Sequence, residues 1–451
     1  MCGIFGITDT KDACNLAYVG LFTLQHRGQE SAGMVTDDGG QLRQHNAMGL
    51  VSEVFSKDAL AWLKGRSAIG HIRYSTTGSS HIKNAQPLVL SSCLGHIAVA
   101  HNGNITNADE LKERLQRGGS IFQSTSDSEV ILHLAAKYRG RNLEDTLAKN
   151  LPKLNGAYAF LFMTPGKVIG ARDPSGYRPL VLGKLGKSFI LSSETCAIDV
   201  AGGRTIREIE PGEMAIIEKG RVRFRRFAPA RSFTRCIFEQ VYFARPDSLV
   251  AGRTVQTARY EIGALLAEEL KGVKADIVSG VPDSGTVYAL GYSKGSGIPY
   301  QTVFMRNHYT GRSFIQPDQR LREFTARLKL APIRDVIKGK SIILVDDSLV
   351  RGTTSRKIVK SLKEAGAKKV AMAIASPPII SPCFYGIDTP NKGELIANKL
   401  SKDKIRRFIG ADALHYLGLE SLVAACGERR DSNFCTACFT GRYPKPGKGT
   451  L

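Results

Sequence analysis

The sequence predicts two joined domains, the first of α+β class with layered sheets and the second of α/β class with a parallel sheet. Residues 2–230 contain short apolar runs broken by Gly, Asn and Ser, such as SAIGHIRYS, HIAVAHNGNI and AYAFLFM, which is typical of short strands and turns. From about residue 250, apolar runs alternate with helical periods, which indicates βαβ units. A length of 451 residues suits two or three domains.

The composition excludes several classes of protein. A hydrophobic share of 42% and a charged share of 23% are those of a globular domain, and not of a disordered, collagen-like or disulfide-scaffold chain. No run approaches the ~18 apolar residues of a membrane span, and MCGIFGITDT does not resemble a signal peptide. We therefore expect a cytoplasmic protein with no membrane partner. Its nine cysteines are then not expected to form disulfides.

The charge is strongly positive, at +22, and most of the excess lies in residues 231–451. Nucleic acid or a small polyanionic substrate would each explain this excess. The basic runs are not interleaved with aromatic residues, and neither a helix-turn-helix nor an aromatic RNA platform is recognisable. We therefore predict a small polyanionic substrate and no nucleic acid, with a nucleic-acid-binding regulator as the alternative.

The order of elements places the domain boundary near residue 230. Residues 109–117 and 128–150 have helical spacing, so helices should cover the sheets of the first domain. The segment 221–235 is densely charged and contains Pro229, which predicts a linker. The predicted domains are residues 2–230 and 231–451. In the second, the helical stretch TARYEIGALLAEEL precedes the apolar runs DIVSG, SIILV and KKVAMAIA.

The cysteine at position 2 is the first candidate for chemistry. Removal of Met1 alone would leave Cys2 with both a thiol and a free α-amine. That amine titrates near ~8, so a single residue would supply the nucleophile and its base. The glycines of CGIFGI let the backbone approach the thiol closely.

Three later motifs supply the groups that an α-amino acid substrate needs. GHIRYSTTG presents Arg73 as a clamp for a carboxylate, and TSDSE presents Asp127 as a partner for an ammonium group. Acyl transfer also requires donors that face the developing oxyanion. The Asn102 side chain and the Gly103 N–H of HNGNITN can serve as these donors.

With these motifs in this order, residues 2–230 resemble the class II glutamine amidotransferase domain. The resemblance implies an N-terminal nucleophile hydrolase with an αββα sandwich, in which a glutamyl thioester forms and ammonia leaves. The residues that it assigns are Cys2 as nucleophile and base, Asn102 and Gly103 as the oxyanion hole, and Arg73, Thr76 and Asp127 as glutamine contacts.

The string SIILVDDSLVRGTTS at 341–355 predicts a phosphate site. Asp346 and Asp347 follow a buried strand, and a Ser/Gly/Thr-rich turn then leads into a helix at about Ser355. Ligands of open α/β sheets bind at the carboxyl ends of strands, and a helix N-terminus favours phosphate. Adjacent carboxylates suit ribose hydroxyls and Mg²⁺. The alternative is that the pair only caps the helix.

This string resembles the 5-phosphoribosyl 1-pyrophosphate (PRPP) motif of type I phosphoribosyltransferases, which have a Rossmann-like parallel sheet. VSGVPDSGT at 278–286 is a second strand-to-turn element that should face the pyrophosphate or its metal. Residues 305–324 have the composition of a mobile loop, which we expect to close over PRPP as a lid, with a solvated basic loop as the alternative. The predicted PRPP contacts are Arg306, Arg312, Asp346, Asp347, Ser348, Arg351, Gly352, Thr353 and Thr354, and the predicted Mg²⁺ ligands are Ser284, Asp346 and Asp347.

The pairing of both motifs resembles the amidophosphoribosyltransferase family, which CIFEQVYFARPDS at 236–248 also matches. The resemblance implies that ammonia from glutamine is passed to PRPP, giving 5-phosphoribosylamine, glutamate and pyrophosphate in the committed step of purine synthesis. It also implies a homotetramer that purine nucleotides inhibit. The alternative is the same glutaminase with another acceptor, as in hexosamine or asparagine synthesis, which the PRPP motif disfavours.

Four cysteines remain as candidate metal ligands. Spacing alone leaves the CTAC pair, Cys435 and Cys438, as redox-active, metal-binding or incidental. In the iron–sulfur branch of the resembled family, cysteines in such contexts bind a [4Fe–4S] cluster. The resemblance therefore implies that Cys236 and Cys383 complete the ligand set. Zn²⁺ on the same thiolates and free thiols are alternatives, and Cys426 is a competing ligand.

Overall fold

The computed structural model describes residues 1–74, 78–92, 95–231, 234–307, 330–389, 391–427 and 433–444. Within these ranges, the chain forms two units, one built on antiparallel sheets and the other on a parallel sheet. None of the helices in the described part combines the length and the apolar character that a membrane crossing requires.

The first unit contains two antiparallel sheets, of seven and six strands. In the seven-stranded sheet the order is β11-β9-β10-β1-β4-β2-β3, and in the six-stranded sheet it is β13-β12-β8-β7-β6-β5. The strands are β1 (Gly3–Ile7), β2 (Ser31–Asp37), β3 (Leu42–Met48), β4 (Ser67–Arg73), β5 (Leu88–Ser92), β6 (Gly95–Ile105), β7 (Gly156–Thr164), β8 (Lys167–Arg172), β9 (Val181–Leu185), β10 (Ser188–Ser192), β11 (Arg204–Glu208), β12 (Glu213–Glu218) and β13 (Arg221–Arg226).

Helices cover the outer face of each sheet, which confirms the αββα sandwich. The helices are α1 (Ala13–Thr23), α2 (Val51–Val54), α3 (Lys57–Trp62), α4 (Ala108–Arg117), α5 (Glu129–Lys137), α6 (Leu143–Asn150) and α7 (Thr195–Val200). One core lies between the sheets and includes Ile4, Ile69 and Leu161, while separate cores lie under the helices on either side.

The second unit is built on a parallel sheet of order β17-β20-β21-β22. Its strands are β14 (Arg235–Cys236), β15 (Leu249–Val250), β16 (Arg253–Thr254), β17 (Ile277–Gly280), β18 (Phe304–Arg306), β19 (Leu330–Pro332), β20 (Ser341–Asp346), β21 (Lys369–Ile374), β22 (Ala413–Tyr416) and β23 (Phe434–Cys435). Its helices are α8 (Val255–Glu269), α9 (Ser284–Ser296), α10 (Arg334–Ile337), α11 (Thr353–Glu364), α12 (Ile396–Lys399), α13 (Lys402–Ile409), α14 (Leu419–Cys426) and α15 (Ala437–Thr440).

Helices lie on both faces of this parallel sheet. Helices α8, α9 and α14 share one core with β17 and β20, and α11 and α13 share the other. Thr254 begins α8, because its hydroxyl accepts a hydrogen bond from the Thr257 N–H at 3.3 Å. The arrangement confirms the predicted α/β unit, and it brings the carboxyl ends of β17 and β20 to one edge.

Local predictions differ from the structure in three places. The stretch 128–150 forms two helices, α5 and α6, rather than one. The phosphate-loop helix begins at Thr353, slightly earlier than expected. Residues 221–226 of the predicted linker form β13, because they pair with β12 as the edge strand of the six-stranded sheet.

Candidate active sites

The thiol of Cys2 is buried at the start of β1. The next residue, Gly3, pairs with Ile72 of β4, and the Cys2 Sγ donates to the Tyr74 carbonyl oxygen at 3.7 Å. Burial raises the pKa of the Cys2 thiol, although the nearby terminal amine and Arg73 oppose the shift. The thiol is therefore protonated at rest and needs a base before it can attack a substrate.

Asn102 and Gly103 lie next to one another on β6. The Asn102 side chain is fully buried, and neither of its amide atoms has a hydrogen-bond partner among the described residues. A buried amide without partners is costly to maintain, so it is suited to a substrate that supplies the missing acceptor. A Cβ on Gly103 would clash with the Ala157 oxygen and lie 2.8 Å from His101 Nε2, which explains the glycine.

Arg73 and Asp127 both lie close enough to Cys2 to shift the pKa of its thiol. Arg73, at the end of β4, is buried and pairs with Glu30 at 2.6 Å. Burial alone would raise the pKa of Asp127, but His101 and the Ile105 N–H, which donates at 2.8 Å, lower it below the usual range. The carboxylate is thus charged and available for an ammonium group.

The structure thus brings Cys2, Arg73 and Asp127 together, and Asn102 and Gly103 are three and two residues before Ile105, whose N–H holds Asp127. Thr76, the further predicted glutamine contact, lies outside the described residues.

A buried ionic network behind Cys2 was not predicted from the sequence. Arg27 is fully buried, and its Nε donates to the Cys2 carbonyl oxygen at 3.0 Å. Its guanidinium also pairs with Glu194 at 2.5 Å and with Glu239 at 2.9 Å. Burial would lower the pKa of Arg27, but the two carboxylates raise it. Glu239 belongs to the second unit, so this network joins the two units directly behind Cys2.

Met1 lies in the same region. Its side chain is buried and its sulfur contacts Arg178. Burial is the main cause that lowers the pKa of its terminal amine to about 5. An amine with this pKa is uncharged at neutral pH.

The second site lies at the carboxyl end of β20. Asp346 and Asp347 are both buried, and burial raises the pKa of each carboxyl, as does the charge of Asp347 on Asp346. The Ser348 hydroxyl donates to Asp347 at 2.6 Å, and Ser284 at the start of α9 also hydrogen-bonds to Asp347. The predicted residues of both strand-to-turn elements therefore meet at one carboxylate pair.

Gly352 precedes α11 and has a φ of +73°, which favours glycine. This left-handed residue turns the chain, so that Thr353 and Thr354 begin the helix, both exposed. Their N–H groups and hydroxyls are available at a helix N-terminus, where a phosphate is favoured.

The predicted arginine contacts have other partners here. Arg306 at the end of β18 pairs with Asp283, and Arg351 pairs with Glu394 at 2.9 Å, with both side chains about half exposed. Exposed pairs of this kind contribute little, so both arginines can exchange their partners for an anionic ligand. Arg312 and most of the predicted lid lie outside the described residues.

Tyr242 lies between the two sites and was also missed. It belongs to the π-helical turn Glu239–Phe243. Half of its side chain is exposed, but desolvation of the phenol still raises its pKa, and Asp347, Tyr74 and Asp346 raise it further. The phenol is therefore within electrostatic reach of Tyr74, whose carbonyl oxygen accepts from the Cys2 thiol, and of Asp346 and Asp347. Its position in EQVYF carries no signal beyond an aromatic residue near a polar turn.

The four predicted cluster cysteines come together between the units. Cys236 in β14 pairs in register with Cys435 in β23. Cys438 interacts electrostatically with Cys236, Cys383 and Cys435, and burial with these neighbours raises its pKa. The charges that shift the pKa of Cys426 come instead from Arg253, Arg259 and Glu261, so Cys426 stands apart from the group.

The two sites define a class of protein in which a glutamine amidotransferase unit is joined to a phosphoribosyltransferase unit. A family model described as "Glutamine amidotransferase domain" matches residues 71–200. The amidophosphoribosyltransferase of Bacillus subtilis strain 168 is 48% identical over 447 residues, which is 98% of this chain and 94% of that protein. That of Archaeoglobus fulgidus is 47% identical over 453 residues and 98% of each chain.

A solved structure agrees with these relatives. The glutamine PRPP amidotransferase of B. subtilis, complexed with ADP and GMP, superposes with a TM-score of 0.93 at 48% identity, and the match covers 98% of this chain and 97% of that one. The chain belongs to the amidophosphoribosyltransferase family. It is an enzyme, a pentosyltransferase with a glutamine amidotransferase domain.

Proposed function

We infer that this enzyme converts glutamine, PRPP and water into 5-phosphoribosylamine, glutamate and pyrophosphate, the committed step of purine biosynthesis. The observation that carries this inference is the combination, in one chain, of the buried Cys2 with a paired-acid phosphate turn. Similarity to amidophosphoribosyltransferases over nearly the whole chain supports PRPP, rather than another acceptor, as the substrate of the second site.

In the first site, we propose that removal of Met1 gives Cys2 a free α-amine. The amine takes the thiol proton, and the thiolate attacks the amide carbon of glutamine. The Asn102 amide and the Gly103 N–H stabilise the oxyanion, while Arg73 and Asp127 bind the substrate carboxylate and ammonium. The protonated amine then donates this proton to the amide nitrogen, so that ammonia leaves, and water hydrolyses the thioester to glutamate. An α-amine titrates near ~8, so an appreciable fraction of it is uncharged at neutral pH and can act as the base.

In the second site, ammonia displaces pyrophosphate from C1 of the ribose. We propose that Asp346 and Asp347 bind the ribose hydroxyls. The turn that follows them would bind a phosphate through Ser348, Arg351, Gly352, Thr353 and Thr354. Ammonia would reach this site past Tyr242, whose phenol lies within electrostatic reach of Tyr74 and of Asp346 and Asp347. Enclosure of the site would protect C1 from water.

The donor set of the second site fits Mg²⁺. This cation uses one or two carboxylates together with substrate phosphates and water. Asp346, Asp347 and the Ser284 hydroxyl provide oxygen ligands. Burial and the charge of Asp347, which raise the pKa of Asp346, favour a bound cation. We propose that these residues hold Mg²⁺, which would neutralise the pyrophosphate leaving group.

The four grouped cysteines fit a [4Fe–4S] cluster. The donors are all sulfur, as such a cluster requires. Zn²⁺ held by the same four thiolates is the alternative. We propose that Cys236, Cys383, Cys435 and Cys438 bind the cluster, and we expect about four iron and four acid-labile sulfide atoms per chain after anaerobic purification. One zinc and no sulfide would contradict this.

Similarity to amidophosphoribosyltransferases also supports proposals about how this enzyme is regulated and how its chains assemble. We propose that purine nucleotides inhibit the enzyme, since the B. subtilis relative is complexed with ADP and GMP. We also propose a homotetramer in the cytoplasm, which sedimentation and fractionation would test.

A substitution at the nucleophile tests the main inference. Cys2→Ala should abolish glutamine-dependent release of pyrophosphate from PRPP and leave ammonia-dependent release intact, because the second site is unchanged. Cys14→Ala, which removes another thiol of the same unit from helix α1, should retain both activities. Full glutamine-dependent activity of Cys2→Ala, or of wild-type enzyme that retains Met1, would show that the nucleophile is assigned wrongly.

A further inference from the structure

A loop of the second unit, Cys383–Gly386, lies directly on strand β6 beside the oxyanion residues. The Asn104 Nδ2 donates to the Phe384 carbonyl oxygen at 2.9 Å. Gly386 is buried with a φ of +94°, and a Cβ built on it would lie 2.9 Å from the Gly103 carbonyl carbon and 3.0 Å from its oxygen. The backbone of this loop therefore touches the backbone of Gly103.

The middle of the loop is held firmly by the first unit. The Tyr385 carbonyl oxygen accepts hydrogen bonds from the buried guanidinium of Arg178, at 2.8 Å from its Nε. The Tyr385 ring stacks on Tyr177 at a centroid distance of 4.4 Å and packs with Ala157. Ala157 is in turn the partner of Asn104 in the β6–β7 ladder. The loop and strand β7 therefore both contact this part of β6.

The other end of the loop is fixed by the cysteine group. The Tyr385 N–H donates to the Cys383 sulfur at 3.3 Å. Just before the loop, the N–H groups of Ile380 and Ser381 donate to the Cys438 carbonyl oxygen at 2.9 and 3.1 Å. The second unit therefore anchors one end of the loop, and a shift of that anchor would move the loop against Gly103 and Asn104 of the first unit.

We propose that Phe384 and Gly386 are positioning residues for glutamine hydrolysis, which hold Gly103 so that its N–H faces the developing oxyanion. This rests on the proposed role of Gly103 as a donor. Stabilisation of an oxyanion depends on donors at hydrogen-bond distance from the position that the anion will occupy, and a displacement of about 1 Å can cost ~10²-fold in rate. Neither residue contacts glutamine in this scheme.

Gly386→Ala tests the proposal, because the added methyl group meets the Gly103 backbone, which cannot rotate away as a side chain can. We expect the kcat of the glutamine-dependent reaction to fall at least ~10-fold. The KM for glutamine and the ammonia-dependent activity should stay within about 2-fold, since the substrate clamp and the PRPP site are untouched. The matched control is Gly366→Ala, where φ is +96° but the nearest atom, of Lys338, is 3.5 Å away; it should retain both activities.

Two further measurements separate positioning from a general loosening of the site. Alkylation of Cys2 by iodoacetamide forms no oxyanion, so its rate in Gly386→Ala should remain within about 2-fold of wild type. Asn104→Asp removes the donor to the Phe384 oxygen and places two oxygens against each other, and it should also lower kcat without changing the alkylation rate.

The outcomes discriminate between failures. If the wild type uses ammonia but not glutamine, the proposed function of the first site is wrong. If the wild type uses both and Gly386→Ala keeps its glutamine kcat, the positioning role is wrong while the function stands. Equal losses in Gly386→Ala and Gly366→Ala, a parallel loss of ammonia-dependent activity, or a changed alkylation rate would each overturn the positioning role in favour of a structural one.

Discussion

Asn102→Leu should separate the stability of the first site from its chemistry. The Asn102 side chain is fully buried, and its two amide atoms lack hydrogen-bond partners among the described residues. Each unsatisfied buried group costs ~1–3 kcal/mol, and leucine has the same branched shape as asparagine. Imperfect repacking offsets part of the gain. We therefore expect a change in the free energy of unfolding between zero and about 2 kcal/mol in the stabilising direction.

The same substitution removes the side chain that we propose as a donor to the oxyanion. Loss of one such donor costs ~2.7–4 kcal/mol in transition-state stabilisation, or a ~10²- to 10³-fold fall in kcat. Only the glutamine-dependent reaction should show this fall, because ammonia reaches PRPP without thioester chemistry. The assay is pyrophosphate release with glutamine or with ammonia, together with urea unfolding of the same preparations.

Asn150→Leu is the matched control. Asn150 is equally buried, but its Nδ2 donates to the carbonyl oxygens of Tyr138 and Thr146 at 2.8 Å each, and its Oδ1 accepts from Lys153 at 3.0 Å. This variant should be destabilised and should keep its glutamine kcat per folded molecule. The reasoning is refuted if Asn102→Leu keeps more than a tenth of the wild-type glutamine kcat, or if it loses as much stability as the control.

Two further predictions concern buried ionisable side chains. Arg27→Met leaves the carboxylates of Glu194 and Glu239 without this cation, and loss of one partner from a buried pair costs ~3–5 kcal/mol. The urea midpoint of unfolding should therefore fall, and it should recover in part when Glu239→Gln is added to the same chain. An absence of recovery would contradict the network. Burial lowers the pKa of His71 from 6.5 to about 3, so below pH 6.5 the unfolded chain binds more protons than the folded one, and stability falls with decreasing pH by about 1.4 kcal/mol per unit. His71→Gln should reduce this slope between pH 7 and 5, and an unchanged slope would place the acid sensitivity elsewhere.

The sequence predicted the fold class and most of each site because those features are local. An apolar strand that ends in Asp346 and Asp347 and then turns through Gly352 determines its own geometry. The glycines around Cys2 and in the HNGN motif likewise indicate places where neighbouring atoms pack closely against the backbone. Such motifs specify the chemistry of a short segment, and the order of segments suffices to name the family that they resemble.

The features that were missed depend on partners distant in sequence. Arg27 meets Glu239 across 212 residues, and Asn104 meets Phe384 across 280. Nothing in the local pattern of either residue distinguishes it from a solvated polar side chain. Burial alone reveals the importance of Arg27, and burial at this depth follows only from the docking of the two units.

Several contacts between the units behind the first site are polar, and this has a consequence for catalysis. Arg27 reaches Glu239, Arg178 reaches the Tyr385 carbonyl oxygen, and the Asn104 amide reaches Phe384. An apolar interface tolerates small sliding, whereas a buried charge displaced from its partner is strongly penalised. We infer that these pairs fix one register between the units, and because Arg27 also binds the Cys2 carbonyl oxygen, that register is imposed on the nucleophile itself.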